Sequence, residues 1–216
     1  MENPVPTSLA ASHTVSKSTS LWTVPNQLTV ARLILSIVCF VFLALDSYLG
    51  ALVLFAIAAA TDWVDGYWAR RYGQITQLGR ILDPFADKIV ICGTFIFLAA
   101  VPPTITGDSV TEIAAWMAVV VVGREMLVTA IRGFMEEQGV DFSAQWAGKW
   151  KMLFQCAAVA FCLWRLWHYG YDSRIGRFQP EPWSTYTLQV LVWVAVLMTI
   201  YSGWGYVQTA LRMLKR

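Results

Sequence analysis

Six long apolar segments dominate this chain and constrain its fold more than any other feature. Hydrophobic residues make up 57% of the 216 residues, charged residues only 14%, and the mean hydropathy is +0.53. These values lie far from those of a soluble domain. Polar breaks divide the chain into candidate helices at residues 27–45, 48–72, 78–101, 111–134, 147–167 and 186–213. The pattern predicts an all-α integral membrane protein with six transmembrane helices.

The six segments leave room for one membrane-embedded domain and a short tail. Residues 1–20 are rich in Ser and Thr and lack the continuous apolar core of a secretory signal. We expect them to form a disordered cytosolic tail, and residues 21–216 to form the six-helix membrane-embedded domain. Residues 170–184 are polar and carry no motif, so we expect a plain connecting loop there.

The basic residues predict the orientation in the membrane. An even number of spans places both termini on one side, together with the second and fourth connections. Thirteen of the sixteen Lys and Arg residues fall on that side, and only Arg165, Arg174 and Arg177 fall on the other. The positive-inside rule makes the first side cytosolic. We therefore expect a multi-pass protein of the inner (cytoplasmic) membrane with both termini in the cytosol.

Four aspartates lie where the second and third segments approach the cytosolic face. Asp62 and Asp65 are spaced i, i+3, and Asp83 and Asp87 are spaced i, i+4, so each pair shares a helix face. Clustered carboxylates at low dielectric would take up protons unless divalent cations keep them ionised. Ligands that are all oxygen atoms favour Mg²⁺ or Mn²⁺ over zinc. The sequence thus predicts a divalent-metal site.

Small residues and a cation surround the aspartates. Gly66, Ala69 and Gly79 allow a bulky ligand to approach the backbone. Arg70 offers a planar fork for phosphate oxygens, and Thr76 offers a hydroxyl. This arrangement suits a nucleotide diphosphate.

A purely structural interpretation of the same residues is an interfacial cluster of Asp62, Asp65 and Arg70, with the glycines serving helix packing. The high cost of carboxylates in a membrane argues against it. Pro84 allows either a helix that starts beside Asp83 or a longer helix with an internal proline.

The run from Asp62 to Asp87 resembles the signature of the CDP-alcohol phosphotransferase family at all of its defining positions. The resemblance implies the six-helix membrane fold of that family, a phosphatidyltransferase activity that releases CMP, and a homodimer. It also implies a site for two ions, Mg²⁺ or Mn²⁺. The implied metal ligands are Asp62, Asp65, Asp83 and Asp87, of which Asp87 also accepts the proton of the attacking alcohol. The implied CDP-binding residues are Gly66, Ala69, Arg70, Thr76 and Gly79.

Three further stretches, residues 25–32, 123–132 and 148–151, resemble those of phosphatidylglycerophosphate synthases. Arg124 and Arg132 lie about two turns apart on one helix face, and Lys149 and Lys151 begin the next span from the same side. We expect these cations to bind the phosphate of an acceptor such as glycerol 3-phosphate. Alternatively, they are topology markers that pair with lipid phosphates, and Glu125 neutralises Arg124.

Residues of the first span complete the expected site. Thr29 and Arg32 could close the acceptor pocket, and Asn26 could cap the span or contact the nucleotide. The expected partners are therefore CDP-diacylglycerol, glycerol 3-phosphate and the lipid bilayer, with no nucleic acid.

Other functions are compatible with parts of this pattern. The same chemistry could use inositol phosphate, serine or phosphatidylglycerol as the acceptor. A divalent-cation transporter would need acidic residues near the midplane of the membrane, whereas these cluster at one face. A non-catalytic lipid-binding scaffold would tolerate loss of Asp87.

Two other residue types receive structural interpretations. Cys39, Cys92, Cys156 and Cys162 lie in the apolar segments without the spacing of a zinc site, so we expect small buried hydrophobes. His168 is expected at the membrane interface, beside aromatic residues.

Overall fold

The computed structural model describes residues 24–72, 77–137 and 146–214. Within these ranges the chain is helical and contains no β-strand, apart from an isolated bridge between Asp172 and Arg177. The helices are α1 (Val24–Ala44), α2 (Tyr48–Tyr72), α3 (Gln77–Ala99), α4 (Ala115–Glu137), α5 (Trp146–His168) and α6 (Pro182–Leu214). The prediction of six helices is confirmed, with most boundaries within three residues.

The largest boundary differences are at the starts of α4 and α6. The sequence predicted that α4 starts at Thr111, but the Thr111 hydroxyl donates a hydrogen bond to the Leu98 carbonyl at 2.9 Å. The next residue, Glu112, has φ 55°, a left-handed conformation that cannot continue a helix. Helix α6 starts four residues earlier than predicted, at Pro182. Proline is favoured at the first helical position because it has no N–H to leave unpaired.

The helices form a bundle around an apolar core. Helix α1 packs against α2 and α3, α5 packs against α2 and α6, and α4 packs against α3 and α6. Ala51 and Ala58 of α2 are almost fully buried, which allows its neighbours to approach closely. The largest buried apolar side chains of this core include Phe95, Leu98, Leu163, Leu166 and Leu188. A second, smaller cluster between α4 and α6 consists of Val128, Met135, Tyr206 and Ala210.

The outer surface of the bundle is also apolar. Large aliphatic side chains are exposed on several helices, including Leu45 and Val119, which are 71% and 70% exposed. One helical stretch, Pro182–Arg212, is by itself long and apolar enough to cross a membrane, and Thr29–Ala44, Tyr48–Thr61 and Lys88–Ala99 are shorter apolar helices. These are the apolar helical stretches among the described residues.

Three connections meet at the end of the bundle away from the aspartates, which we call the far end. They are residues 45–47, 100–114 and 169–181. Hydrogen bonds join them: Tyr171 Oη to the Pro102 carbonyl at 2.6 Å, the Ser173 hydroxyl to the Asp46 carboxylate, and the Ile105 amide to the Gly176 carbonyl at 3.1 Å. Burial raises the pKa of Tyr171, and the nearby carboxylates of Asp46 and Asp172 raise it further.

Aromatic rings surround His168, as the sequence predicted, and three of the four cysteines are buried, as expected. The His168 ring stacks on Trp164 at 4.8 Å, and Tyr169 and Trp183 pack on the same group. Such clusters are typical of a membrane interface. The four cysteines are free, and all but the half-buried Cys156 are buried.

Candidate active site

The aspartate motif spans the end of α2 and the start of α3. Helix α2 continues through Asp62 and Asp65 to Tyr72, and α3 is helical from Gln77 through Asp83 and Asp87. The two helices contact each other. The predicted i, i+3 and i, i+4 spacings therefore lie on α-helical backbone. Because Pro84 is well inside α3, the alternative that the helix starts beside Asp83 is wrong.

The ligand set itself remains a prediction. Thr76 lies outside the described residues. For the other members of the motif and for Asn26, the structure describes the helical backbone but not the side chains. These residues are Asp62, Asp65, Gly66, Ala69, Arg70, Gly79, Asp83 and Asp87.

A divalent cation fits the chemistry of this motif. Its potential donors are carboxylate oxygens, the ligands that Mg²⁺ and Mn²⁺ prefer. Among the side chains that the structure does describe, no group of three His, Cys, Asp or Glu residues could hold a metal. The described side chains thus offer no competing metal site.

A buried charged cluster links α4 to α5. One Nη atom of Arg124 donates to Glu125 Oε1 at 3.1 Å, and the Lys151 ammonium donates to the same oxygen. Glu125 and Lys151 are each only 5% exposed. The structure thus brings together two of the predicted acceptor-binding cations. Glu125 does neutralise Arg124, as the alternative interpretation expected, but it shares its charge with Lys151, and the three residues keep one net positive charge.

Helix α6 holds the Arg124 side chain from its other side. The second Nη atom donates to Ser202 Oγ at 2.9 Å, and the guanidinium lies 5.6 Å from the centre of the Tyr206 ring. A Cβ atom added at Gly203 would lie 3.0 Å from Arg124 Cγ. The absence of a side chain at Gly203 therefore lets α6 approach the arginine.

A second polar contact joins α5 and α6, one turn of α5 after Lys151. Gln155, four residues after Lys151, donates from Nε2 to Thr199 Oγ1 at 2.9 Å. Both residues are buried. Sequence reasoning missed Gln155, Thr199 and Ser202, although their polar side chains interrupt otherwise apolar helices. That interruption was the available signal, because buried polar groups in such helices usually contact one another.

Two arginines of α4 keep hydrogen-bonding capacity. The Nε atoms of Arg124 and Arg132 are buried and have no hydrogen-bond partner within the described parts of the chain. Buried donors normally have an acceptor, so these two atoms lack the partner that such donors usually have. Lys149 is exposed at the start of α5.

The residues predicted on the first helix are buried, and one of them lies beside Met152 and Cys156 of α5. Thr29 and Arg32 are both 4% exposed. Arg32, with Met152 and Cys156 of α5, lines an apolar cavity of about 20 Å³. That cavity is too small for a substrate, so the role of Arg32 at the acceptor site stays a prediction.

Comparison with known proteins places the chain in a family. The CDP-alcohol phosphatidyltransferase family matches residues 22–201. Proteins called CDP-diacylglycerol--glycerol-3-phosphate 3-phosphatidyltransferase are among its relatives. The Bacillus subtilis (strain 168) protein is 30% identical over 202 residues, covering 86% of this chain and 94% of the relative. The Escherichia coli (strain K12) protein is 33% identical over 192 residues, covering 87% and 94%. This chain belongs to the CDP-alcohol phosphatidyltransferase family.

Proposed function

We propose that this chain is a transferase of phospholipid biosynthesis that moves a phosphatidyl group from CDP-diacylglycerol to glycerol 3-phosphate. The products are phosphatidylglycerophosphate and CMP. The observation that carries the proposal is the match to relatives named for this reaction, which extends over 94% of their length in two bacteria. The buried cations of α4 and α5 support a phosphorylated acceptor.

The aspartate motif supplies the reaction centre in this proposal. Asp62, Asp65, Asp83 and Asp87 would hold two Mg²⁺ or Mn²⁺ ions. When bound, such ions neutralise a diphosphate and stabilise the leaving phosphate oxygen. Gly66, Ala69 and Gly79 leave room for the CDP group, Arg70 and Thr76 bind it, and Asn26 contacts the nucleotide.

The transfer itself is one substitution at phosphorus. The acceptor hydroxyl oxygen forms a bond to the phosphorus of the phosphatidyl group, and the bond from that phosphorus to the CMP oxygen breaks. CMP leaves with the electron pair. Asp87 accepts the hydroxyl proton and orients the oxygen for attack.

The acceptor phosphate would bind the cations near Glu125. Arg124 and Lys151 are already held in place by Glu125 and Ser202, so little side-chain freedom is lost on binding. The unpartnered Nε atoms of Arg124 and Arg132 add donors. Lys149, Thr29 and Arg32 would complete this pocket. A neutral acceptor such as serine would not need this much positive charge.

The membrane arrangement is also part of the proposal. All six helices would cross the inner membrane, with residues 1–20, both termini and the aspartate motif on the cytosolic side, and the chain would form a homodimer. The apolar outer surface and the one-sided distribution of Lys and Arg support the crossing. The acyl chains of CDP-diacylglycerol could then enter sideways from the bilayer.

The decisive experiment measures CMP release by the purified protein with CDP-diacylglycerol and Mg²⁺. Glycerol 3-phosphate is compared with inositol phosphate, serine, phosphatidylglycerol and no acceptor. We expect turnover with glycerol 3-phosphate and its loss when Mg²⁺ is chelated. Turnover only with another acceptor would overturn the assignment of the cationic pocket. If no acceptor supports CMP release, the phosphatidyltransferase proposal fails, and Mn²⁺ flux into liposomes would test transport instead.

A further inference from the structure

The far end of the bundle contains a polar cavity that the proposed reaction does not use. Its volume is about 420 Å³, within the range of about 300–1,000 Å³ that small-molecule sites occupy. The connection before α4, the connection between α5 and α6, and the adjoining ends of those two helices line it. Its charged members are Asp108, Glu112 and Arg165, and its polar members include Thr185 and Gln189. The aspartate motif lies at the other end of the bundle, at the end of α2 and the start of α3.

Arg165 is the most unusual member of this lining. It is only 1% exposed, yet no carboxylate of the described chain lies within ion-pair distance of it. One Nη atom donates to the Val110 carbonyl at 3.1 Å and the other to Thr185 Oγ1 at 2.8 Å. Its Nε atom is buried and has no hydrogen-bond partner in the part of the chain that the structure describes. A buried guanidinium with an unused donor fits an anionic group, such as a phosphate.

Two carboxylates give the same cavity a negative part. Glu112 Oε2 accepts a hydrogen bond from Gln189 Nε2 at 3.1 Å, and Asp108 Oδ2 accepts one from Thr106 at 2.5 Å. Glu112 also has the left-handed backbone conformation that non-glycine residues rarely adopt. Such conformations concentrate at binding sites, where the surrounding structure maintains them. With Arg165, the lining carries one positive and two negative charges.

The position of the cavity relates it to the lipid surface. The Arg165 guanidinium lies 5.0 Å from the centre of the Phe178 ring. Phe178 also packs against Tyr169, which belongs to the aromatic cluster of Trp164, His168 and Trp183. Aromatic residues of this kind concentrate at the depth of lipid headgroups.

We propose that this cavity binds a small zwitterion in which a phosphate ester is joined to a primary amine, as in a phosphoethanolamine group. The phosphate would contact Arg165, and the ammonium would contact Asp108 and Glu112. A simple anion would be repelled by the two carboxylates, and a simple cation would leave the arginine without a counter-charge. The group could belong to a membrane lipid or to a free molecule.

The test measures thermal unfolding of the purified protein in detergent. Phosphatidylethanolamine, phosphatidylglycerol, free phosphoethanolamine and inorganic phosphate are each titrated. We expect phosphatidylethanolamine, phosphoethanolamine or both to raise the melting temperature, and the other two to raise it less. Response to the free compound identifies headgroup recognition, whereas response to the lipid alone shows that the acyl chains also bind. Equal effects of phosphatidylethanolamine and phosphatidylglycerol, or no effect of any ligand, would refute the proposal.

Variants of the two carboxylates in the lining make the test specific. Arg165→Lys keeps the charge but loses the fork, and it risks misfolding because the residue is buried. The conclusion therefore depends on the double variant Asp108→Asn, Glu112→Gln. This variant should bind the ammonium-bearing ligand roughly tenfold more weakly, or weaker still. Glu181 is an exposed carboxylate at the same end that does not line the cavity. The control variant Glu181→Gln should therefore bind the ligand as tightly as the unaltered protein does. Unchanged binding by the double variant would contradict an ammonium site, and both variants should keep their rate of CMP release.

Discussion

Buried charges distinguish this bundle from an ordinary apolar core at the level of single residues. Glu125, Lys151, Arg32 and Arg165 are each at most 5% exposed. Each such charge costs several kcal/mol to remove from water unless a partner compensates it. From their position in the chain, the sequence predicted a functional role for Arg32 and Lys151, and it predicted only that Glu125 neutralises Arg124. It assigned Arg165 only to topology, because the cavity that it lines is formed by residues far away in sequence.

Asp87 is expected to be the most sensitive position of the aspartate motif. Replacement by Asn keeps the size of the side chain but removes the basic oxygen and a negative ligand. We expect Asp87→Asn to reduce CMP release by about 10²–10⁴-fold or more, the usual contribution of a general base. Initial rates of the purified variant, with Glu181→Gln as a far-end control, provide the measurement. A rate of CMP release close to that of the unaltered protein would show that Asp87 is not the general base.

Glu125 is expected to stabilise the fold as well as the pocket. Glu125→Gln would leave Lys151 and Arg124 buried without their shared carboxylate, a change that costs about 3–5 kcal/mol in comparable buried pairs. We expect a lower melting temperature in detergent. The double variant Glu125→Gln, Lys151→Met should recover part of the loss, because it also removes the uncompensated ammonium. If the single variant melts at the original temperature, the ion pair does not stabilise the protein.

At the level of helices, local patterns predicted most of the architecture. Apolar periodicity and polar breaks gave all six helices, since each signal lies within a few neighbouring residues. The predicted start of α4 was wrong because the Thr111 hydroxyl donates a hydrogen bond to the Leu98 carbonyl, in α3. The contact between Arg124 and Ser202 could not be predicted either, since the residues are 78 positions apart. The spacing of the aspartates on helical backbone was predictable, because it depends only on helix geometry.

The packing of α4 against α6 gives a prediction about Gly203. A methyl group there would lie 3.0 Å from Arg124 Cγ, so Gly203→Ala should displace the arginine. We expect the KM for glycerol 3-phosphate to rise by up to about tenfold, equivalent to about 1.4 kcal/mol, with a smaller change in kcat. Gly133→Ala on α4 is the matched control, because its methyl group would meet nothing within 4 Å. Equal KM values for the two variants would show that Gly203 does not position Arg124.

The whole molecule has two ends with different chemistry. Most of the Lys and Arg residues and the aspartate motif belong to one end, while the other has hydrogen-bonded connections, an aromatic cluster and the polar cavity. The sequence predicted this polarity from the distribution of basic residues. It did not predict the structure of residues 170–184, where we expected a plain loop. That segment instead forms the bridge between Asp172 and Arg177 and supplies Phe178 and Pro180 to the cavity.

This polarity predicts the sides on which labels will react. In a background with the four cysteines replaced by alanine, Thr106→Cys and Arg212→Cys place single thiols in exposed positions at opposite ends. We expect a membrane-impermeant maleimide to label Thr106→Cys from outside intact cells, and Arg212→Cys only after the cells are opened. Labelling of both from the same side would rule out the proposed six-span topology.

The hydrogen bonds between the far-end connections have a mechanical consequence. Tyr171 joins the segment after α5 to the segment after α3, and Ser173 joins it to the turn between α1 and α2. Helices whose connections are hydrogen-bonded together at one end can separate most easily at the other end. If a two-tailed lipid is to enter between these helices, the far end would therefore serve as the pivot, and the gap would open beside the aspartates.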